Sequence, residues 1–160
     1  MTIENIKELM DGVDIAALLP DLESLMALLG PVARFSVLIG PVILLFLGLY
    51  FFLLSPKEAN YTTGYRCLWG MGSEQVWQFT QKLAGAVWMA LGLALLIAMA
   101  IVSRDFAELA TMDLLWAAIR CLAWQAGMIL AGCLGIHLTV FIRYDHKGNR
   151  RLSWAELFRK

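Results

Sequence analysis

The sequence is poor in the groups that catalysis and secretion need. It holds two histidines in 160 residues. Its three cysteines, Cys67, Cys121 and Cys133, show neither a Cys-x-x-Cys pair nor the spacing of metal ligands. Structural disulfides, redox cycling and a metal site are therefore not expected, and the thiols read as small apolar side chains. No nucleophile stands with a base, and there is no phosphate-cradling motif and no His or carboxylate cluster. The chain reads as a non-enzyme without metal or cofactor, and no direct nucleic-acid contact is expected of it. The N-terminus also lacks the positive charge that opens a secretory signal, because MTIENIKELMDGVD is mostly acidic. The first apolar run is thus expected to be retained. Charge is missing altogether from residues 35–54 and 83–102, and in residues 121–142 only Gln125 and His137 are strongly polar.

What is present is apolar length. The chain is 60% hydrophobic, with a mean hydropathy of +0.68, whereas a soluble domain is about half apolar. A bilayer core of roughly 30 Å takes about 20 helical residues. Each of the three runs is long enough. The expected fold is all-α: a polytopic membrane helix bundle with three transmembrane helices, preceded by N-terminal amphipathic helices in residues 1–34. The membrane domain spans residues 35–142, with a loop at 56–82, and residues 143–160 form a basic tail. Within residues 1–34, Ile3, Ile6, Leu9, Met10 and Val13 recur at helical spacing. Pro20 breaks that pattern, Asp21 opens a second short helix, and Gly30-Pro31 ends it and suits the start of the next.

The net charge is zero but lopsided. Lys57, Arg66 and Lys82 in the first loop and Arg143, Lys147, Arg150, Arg151, Arg159 and Lys160 in the tail put nine basic residues on one side. Lys7, Arg34, Arg104 and Arg120 put four on the other. Cytoplasmic flanks are rich in Lys and Arg, so the loop and tail are expected inside and the N-terminus outside.

Small residues recur every fourth position in the second run (Ala86, Ala90, Ala94, Ala98) and in the third (Gly127, Ala131, Gly135). Such faces let backbones approach in lipid, so these two spans are expected to pack together or one of them across a homo-oligomer. Trp88, Trp116, Trp124 and Tyr144 read as interfacial anchors. Arg120 and Arg143 bracket the third run at roughly one bilayer thickness and are expected to snorkel to opposite surfaces. Arg120, Gln125 and His137 are the candidate intramembrane polar site. Gln125 can bond across helices. His137 is either a proton or ligand site or, more cheaply, a neutral ring bonded to a neighbour.

The segment between the first two runs, NYTTGYRCLWGMGSEQVW, crowds Gly, polar and aromatic residues without helical periodicity. Loops positioned by rigid helices carry function. Gly64, Gly70 and Gly72 free the backbone. Arg66 offers a planar fork for phosphate or carboxylate. Ser73 can cap the second helix, with Glu74 in its first turn. The candidate binding residues are Asn60, Gly64, Tyr65, Arg66, Ser73, Glu74 and Trp77. A purely structural loop, with Asn60 and Arg66 bonded to backbone carbonyls, is the competing reading. The tail echoes a calcium loop from Asp145 to Glu156, but Lys147 and Arg150 occupy positions that need an oxygen ligand and Gly, so calcium is rejected. The basic tail suits anionic lipid or a soluble partner.

Pro56-x-x-x-Asn60-x-x-x-Gly64-Tyr65-Arg66, then Ser73-Glu74-x-x-Trp77, then Lys82-x-x-Gly85, resembles the signature of the SdpI/YfhL family of bacterial membrane proteins. The resemblance runs from about residue 44 to the end of the second span, with the third fitting by position. Cys67 stands where the family commonly has Thr, and residues 1–34 are acidic where the founding member has a further membrane module. The resemblance implies a multi-pass protein of the bacterial plasma membrane. It implies immunity to a secreted peptide toxin and signalling by holding a cytoplasmic repressor at the membrane. The alternative from the residues is a small oligomeric transporter or channel subunit, with Arg120, Gln125 or His137 along its path.

Overall fold

In the computed structural model, residues 15–59, 62–145 and 147–151 are described, with side chains at Ser24 and from Met26 onward. The amphipathic stretch Ile3 to Val13, Asn60, Glu156 and the end of the tail lie outside the described residues. Among the described residues, three helices make the bundle: α1 at Ile15–Leu53, α2 at Glu74–Val102 and α3 at Thr111–Arg143. A single 3-10 turn, Phe106–Glu108, links α2 to α3. Each helix contributes a stretch long and apolar enough to cross a membrane, at Met26–Leu53, Glu74–Glu108 and Thr111–Arg143. The chain is an all-α, three-span membrane bundle.

The helices outrun the apolar runs that marked them. With 39 residues, α1 is about 58 Å long, nearly twice a bilayer core. It passes through Pro20 and Pro31 without a break, contrary to the expectation that both would end helices. A helical proline removes one hydrogen bond and crowds the preceding turn, and neighbours can offset this. At Gly30-Pro31 the 3-10 turn lies directly on the helix. A Cβ on Gly30 would sit 2.8 Å from the Ala107 Cα. At Pro41 the compensation is a hydrogen bond. Pro41 has no N–H for the Val37 carbonyl one turn earlier, and the buried Gln125 side chain on α3 supplies it, with Nε2 donating to Val37 O at 2.9 Å. Gly40 leaves the room, because a Cβ there would meet Gln125 Oε1 at 2.8 Å.

This pairing makes a test. Gln125→Leu strands the Val37 carbonyl and should cost about 1–3 kcal/mol. In a Pro41→Ala chain the helix regains its own donor, and the same substitution should cost much less. Unfolding of the four chains in detergent measures the coupling; equal costs in both backgrounds would contradict it.

The closest helix crossing joins α1 to α2 through glycines. A Cβ on Gly48 would lie 2.5 Å from Met89 N, on Gly85 2.6 Å from Phe52 N, and on Gly92 2.7 Å from Leu45 N. Dispersion between touching backbones is a main source of helix association in lipid. Within the chain, the expected small-residue faces are not the ones used. Ala86, Ala90, Ala94 and Ala98 are all exposed. Gly127, Ala131 and Gly135 are exposed too, and nothing lies within 4 Å of a Cβ on either glycine. Helices α2 and α3 do pack, through Val76, Ala84, Ile136 and Val140.

Two apolar cores result, one at each end. The first gathers Tyr65, Cys67, Val76, Ala84, Ile136, Val140 and Tyr144. The second gathers Val37, Met99, Phe106, Leu114 and Cys121 beneath the 3-10 turn. Trp116 and Trp124 face outward, whereas Trp88 and Tyr144 pack inside the first core rather than serving as free anchors. Because α3 begins nine residues before Arg120, that exposed arginine lies about 13 Å along the helix, not at its mouth.

Candidate functional site

The segment between α1 and α2 folds back into the bundle. Ser73, in extended conformation, caps α2 by accepting from Val76 N at 3.4 Å, and Glu74 lies in the first turn. One face of α2 then carries Val76, Trp77, Thr80, Gln81 and Ala84, all fully buried. Three of these hold the loop. The Trp77 indole Nε1 donates to Pro56 O at 2.8 Å. Gln81 meets the backbone of Tyr65 at both polar atoms: Tyr65 N donates to Oε1 and Nε2 donates to Tyr65 O, each at 2.8 Å. This amide stands in for a neighbouring strand and satisfies a buried peptide. Thr80 returns its hydroxyl to Val76 O and flanks the Gly70 turn.

Glycine is required at one point in particular. Gly64 has φ +112°, and a Cβ there would lie 2.6 Å from the Trp77 ring. The peg and the turn fit only together. Tyr65 then reaches between the helices. Its ring meets Phe51, Trp88 and His137 edge-on, with centroids 6.4, 5.7 and 5.7 Å away. Its hydroxyl lies 3.2 Å from His137 Nδ1, which is also 2.9 Å from Cys133 O. That nitrogen donates to the carbonyl in one tautomer and accepts from the phenol in the other. Cys67 sits under the Gly70 turn, where Gly70 N donates to its sulfur at 3.1 Å. Burial pushes both the Tyr65 phenol and the Cys67 thiol up. Neither ionises near neutral pH, so Cys67 is a packed thiol and not a primed nucleophile.

The tail closes over the same end. Asp145 Oδ1 accepts from Lys147 N and Asn149 N at 2.9 and 2.7 Å, shaping a turn that returns Arg150 beside Tyr144. Ser73 Oγ donates to Gly148 O at 3.3 Å, and Gly148, at φ +79°, approaches too closely for any Cβ. Asp145 is thus spent on its own turn. Arg143 lies over the Phe79 ring and Arg151 over Phe141, at 4.6 and 4.8 Å. Between tail and helix runs an open polar groove of about 510 Å³, lined by Ser73, Glu74, Gln75, Gln78, Lys147, Gly148 and Asn149.

Of the residues singled out from sequence, Gly64, Tyr65, Ser73 and Trp77 come together as the loop's framework. Arg66 and Glu74 are exposed at the same end, where Glu74 Oε1 accepts from Gln78 Nε2 at 2.9 Å. Asn60 is outside the described residues. His137 joins this end through Tyr65, while Gln125, about 18 Å away along α3, serves Val37. Arg120 joins neither. Sequence reading missed Gln81 and Leu68. Gln81 lies one helical turn after Trp77, and a buried amide at that spacing was the available signal. Leu68, 85% exposed, crowns the turn next to the buried Cys67. Among the described residues, no group of three His, Cys, Asp or Glu could hold a metal.

No curated protein and no solved structure matches the chain. Residues 57–144 match the SdpI/YfhL protein family. The match begins at the loop and takes in the third helix as well as the second, which the motif alone reached only by position. More than half of the 160 residues fall within it, and the chain belongs to the SdpI/YfhL protein family.

Proposed function

We propose that this is a non-catalytic binding and signalling protein of the immunity type, and that the loop–tail end of the bundle is its docking surface. The observation that supports this most is the construction of that end. The family loop is pinned by Trp77 and Gln81 and hydrogen-bonded to the tail through Ser73. A loop so held presents Arg66, Leu68 and the polar groove in fixed positions, and preorganisation lowers the cost of binding. The excess of Lys and Arg at this end favours the cytoplasm. The partner it meets is then a soluble, repressor-like protein, while a secreted peptide toxin arrives from the opposite face. The transport reading gains no comparable support: Gln125 is spent on Val37, and His137 Nδ1 is engaged by Tyr65 or Cys133, according to the tautomer.

The test is survival under challenge by secreted peptide toxin, comparing cells that make the chain with cells that lack it. Protection is expected; equal killing contradicts the reading. Arg66 refines it. Lys keeps the charge but not the planar fork. Arg66→Lys should lose protection at unchanged abundance in the membrane if recognition is bidentate, and should match wild type if only charge matters. If the Lys and Ala variants both merely fail to accumulate, Arg66 is structural and is not a contact.

A further inference from the structure

A second cavity opens at the other end of the molecule, away from the family loop. It holds about 310 Å³ and is lined by Gly30, Pro31, Arg34, Phe35, Leu38, Ser103, Arg104, Phe106 and Ala107. The close contact of Gly30 with Ala107 sets its floor and brings one turn of α1 against the 3-10 turn that follows α2. Two cations therefore line one recess, Arg34 from α1 and Arg104 from the link after α2. Both are exposed. The acidic residues of the link, Asp105 and Glu108, are exposed and do not line the cavity. The independent observation is Ser103. It lines the cavity, is fully buried, and its Oγ has no hydrogen-bond partner among the described residues. A buried hydroxyl left unpaired costs free energy, and such a group calls for an explanation.

We propose that this cavity is a phosphate-binding site, with the Arg34 and Arg104 guanidinium groups as the charged contacts and the Ser103 hydroxyl as a neutral one. Guanidinium forks match phosphate oxygens. The position suits a phospholipid headgroup as the source. Arg34 lies about 28 Å along α1 from Leu53, one bilayer core from the loop end. Phe35, Leu38 and Phe106 supply apolar walls beside the cations.

The test uses the full chain purified in detergent, titrated with phosphatidylglycerol and followed by native mass spectrometry. A second arm follows thermal stability with inorganic phosphate. Wild type should bind phosphatidylglycerol on the order of tenfold or more tighter than the Arg34→Gln/Arg104→Gln chain, with Ser103→Ala in between. If inorganic phosphate stabilises wild type but not the double variant, while the lipid binds both alike, the phosphate site stands and its source is the free anion. If the lipid binds both chains alike and phosphate shifts neither, the proposal is overturned. Circular dichroism checks helix content. Should the double variant not fold, the single Arg104→Gln chain carries the comparison: several-fold weaker binding supports the site, and unchanged binding overturns it.

Discussion

Gly85→Leu should abolish accumulation of the folded bundle, and Gly85→Ala should already weaken it. At this point α2 lies against the α1 backbone: a Cβ would be 2.6 Å from Phe52 N and 2.8 Å from Gly48 O. Neither atom is the end of a flexible side chain, so relief requires the helices to part. Overpacking a fitted contact costs about 1–3 kcal/mol, and the alanine variant should fall in that range. Leucine adds three more carbons where none fits. Separating the helices here also moves Gly48 from Met89 and Gly92 from Leu45, because all three contacts belong to one crossing. Ala86→Leu is the control. Ala86 is exposed on the neighbouring face, and leucine there should be near neutral. Abundance in membranes and thermal unfolding in detergent read both. A Gly85→Leu chain as stable as wild type would mean that α1 and α2 do not cross at this glycine.

Trp77→Ala should be the next most damaging change, and its effect should be concentrated on the loop. The indole has no exposed surface and fills the space between Gly64 and α2. Truncating a buried large aromatic costs about 3–5 kcal/mol. The Pro56 carbonyl also loses its donor. Trp77→Phe keeps most of the packing but not the hydrogen bond, and should cost less. Helix content should survive in both, because the membrane-embedded stretches of α1, α2 and α3 do not depend on this ring. A Trp77→Ala chain with the stability of wild type would remove the peg from the description of the loop.

What the sequence made legible was set by which forces are local. Uncharged runs of twenty residues report directly on the membrane, so three spans were readable, and Ser73 was readable as a cap because capping is a contact three residues long. Helix length was not, because apolarity marks only the lipid-buried part. The fate of Pro31 and Pro41 depended on Ala107 and Gln125, 76 and 84 residues away in the chain. Four-residue spacing of small side chains shows that a face exists but not which face a neighbour takes. The alanines of α2 lost to Gly85 and Gly92, because the crossing leaves no room for a Cβ of any size. In the loop, the glycines and Arg66 drew attention by residue type. The spacing of Gln81 from Trp77 marks it as a residue to watch, but the partner of Gln81 and of His137 is invisible without the fold, since both act on Tyr65, 16 and 72 residues away. Trp77 drew attention as a candidate binding residue, but it stands in the first turn of α2, and its complete burial makes it a peg beneath the loop and not a contact upon its surface.

The central claim is that the family loop is a folded part of the bundle, and adjacent residues can test it. Cys67 is 6% exposed and Leu68 is 85% exposed. The measurement is the rate of labelling by a membrane-impermeant thiol reagent, in membranes opened to each side, of two chains without other cysteines: one keeping Cys67, the other carrying Leu68→Cys with Cys67→Ala. A local opening cost of about 1.4 kcal/mol or more slows labelling at least roughly tenfold, and burial also holds the Cys67 thiol in its unreactive form. The expected result is fast labelling at position 68 from the cytoplasmic side, labelling at Cys67 slower by at least that factor, and loss of the protection in Trp77→Ala. Equal rates at 67 and 68 in otherwise intact chains would contradict it, since a loop that exposes both neighbours alike is not held by Trp77, Gln81 and Gly64.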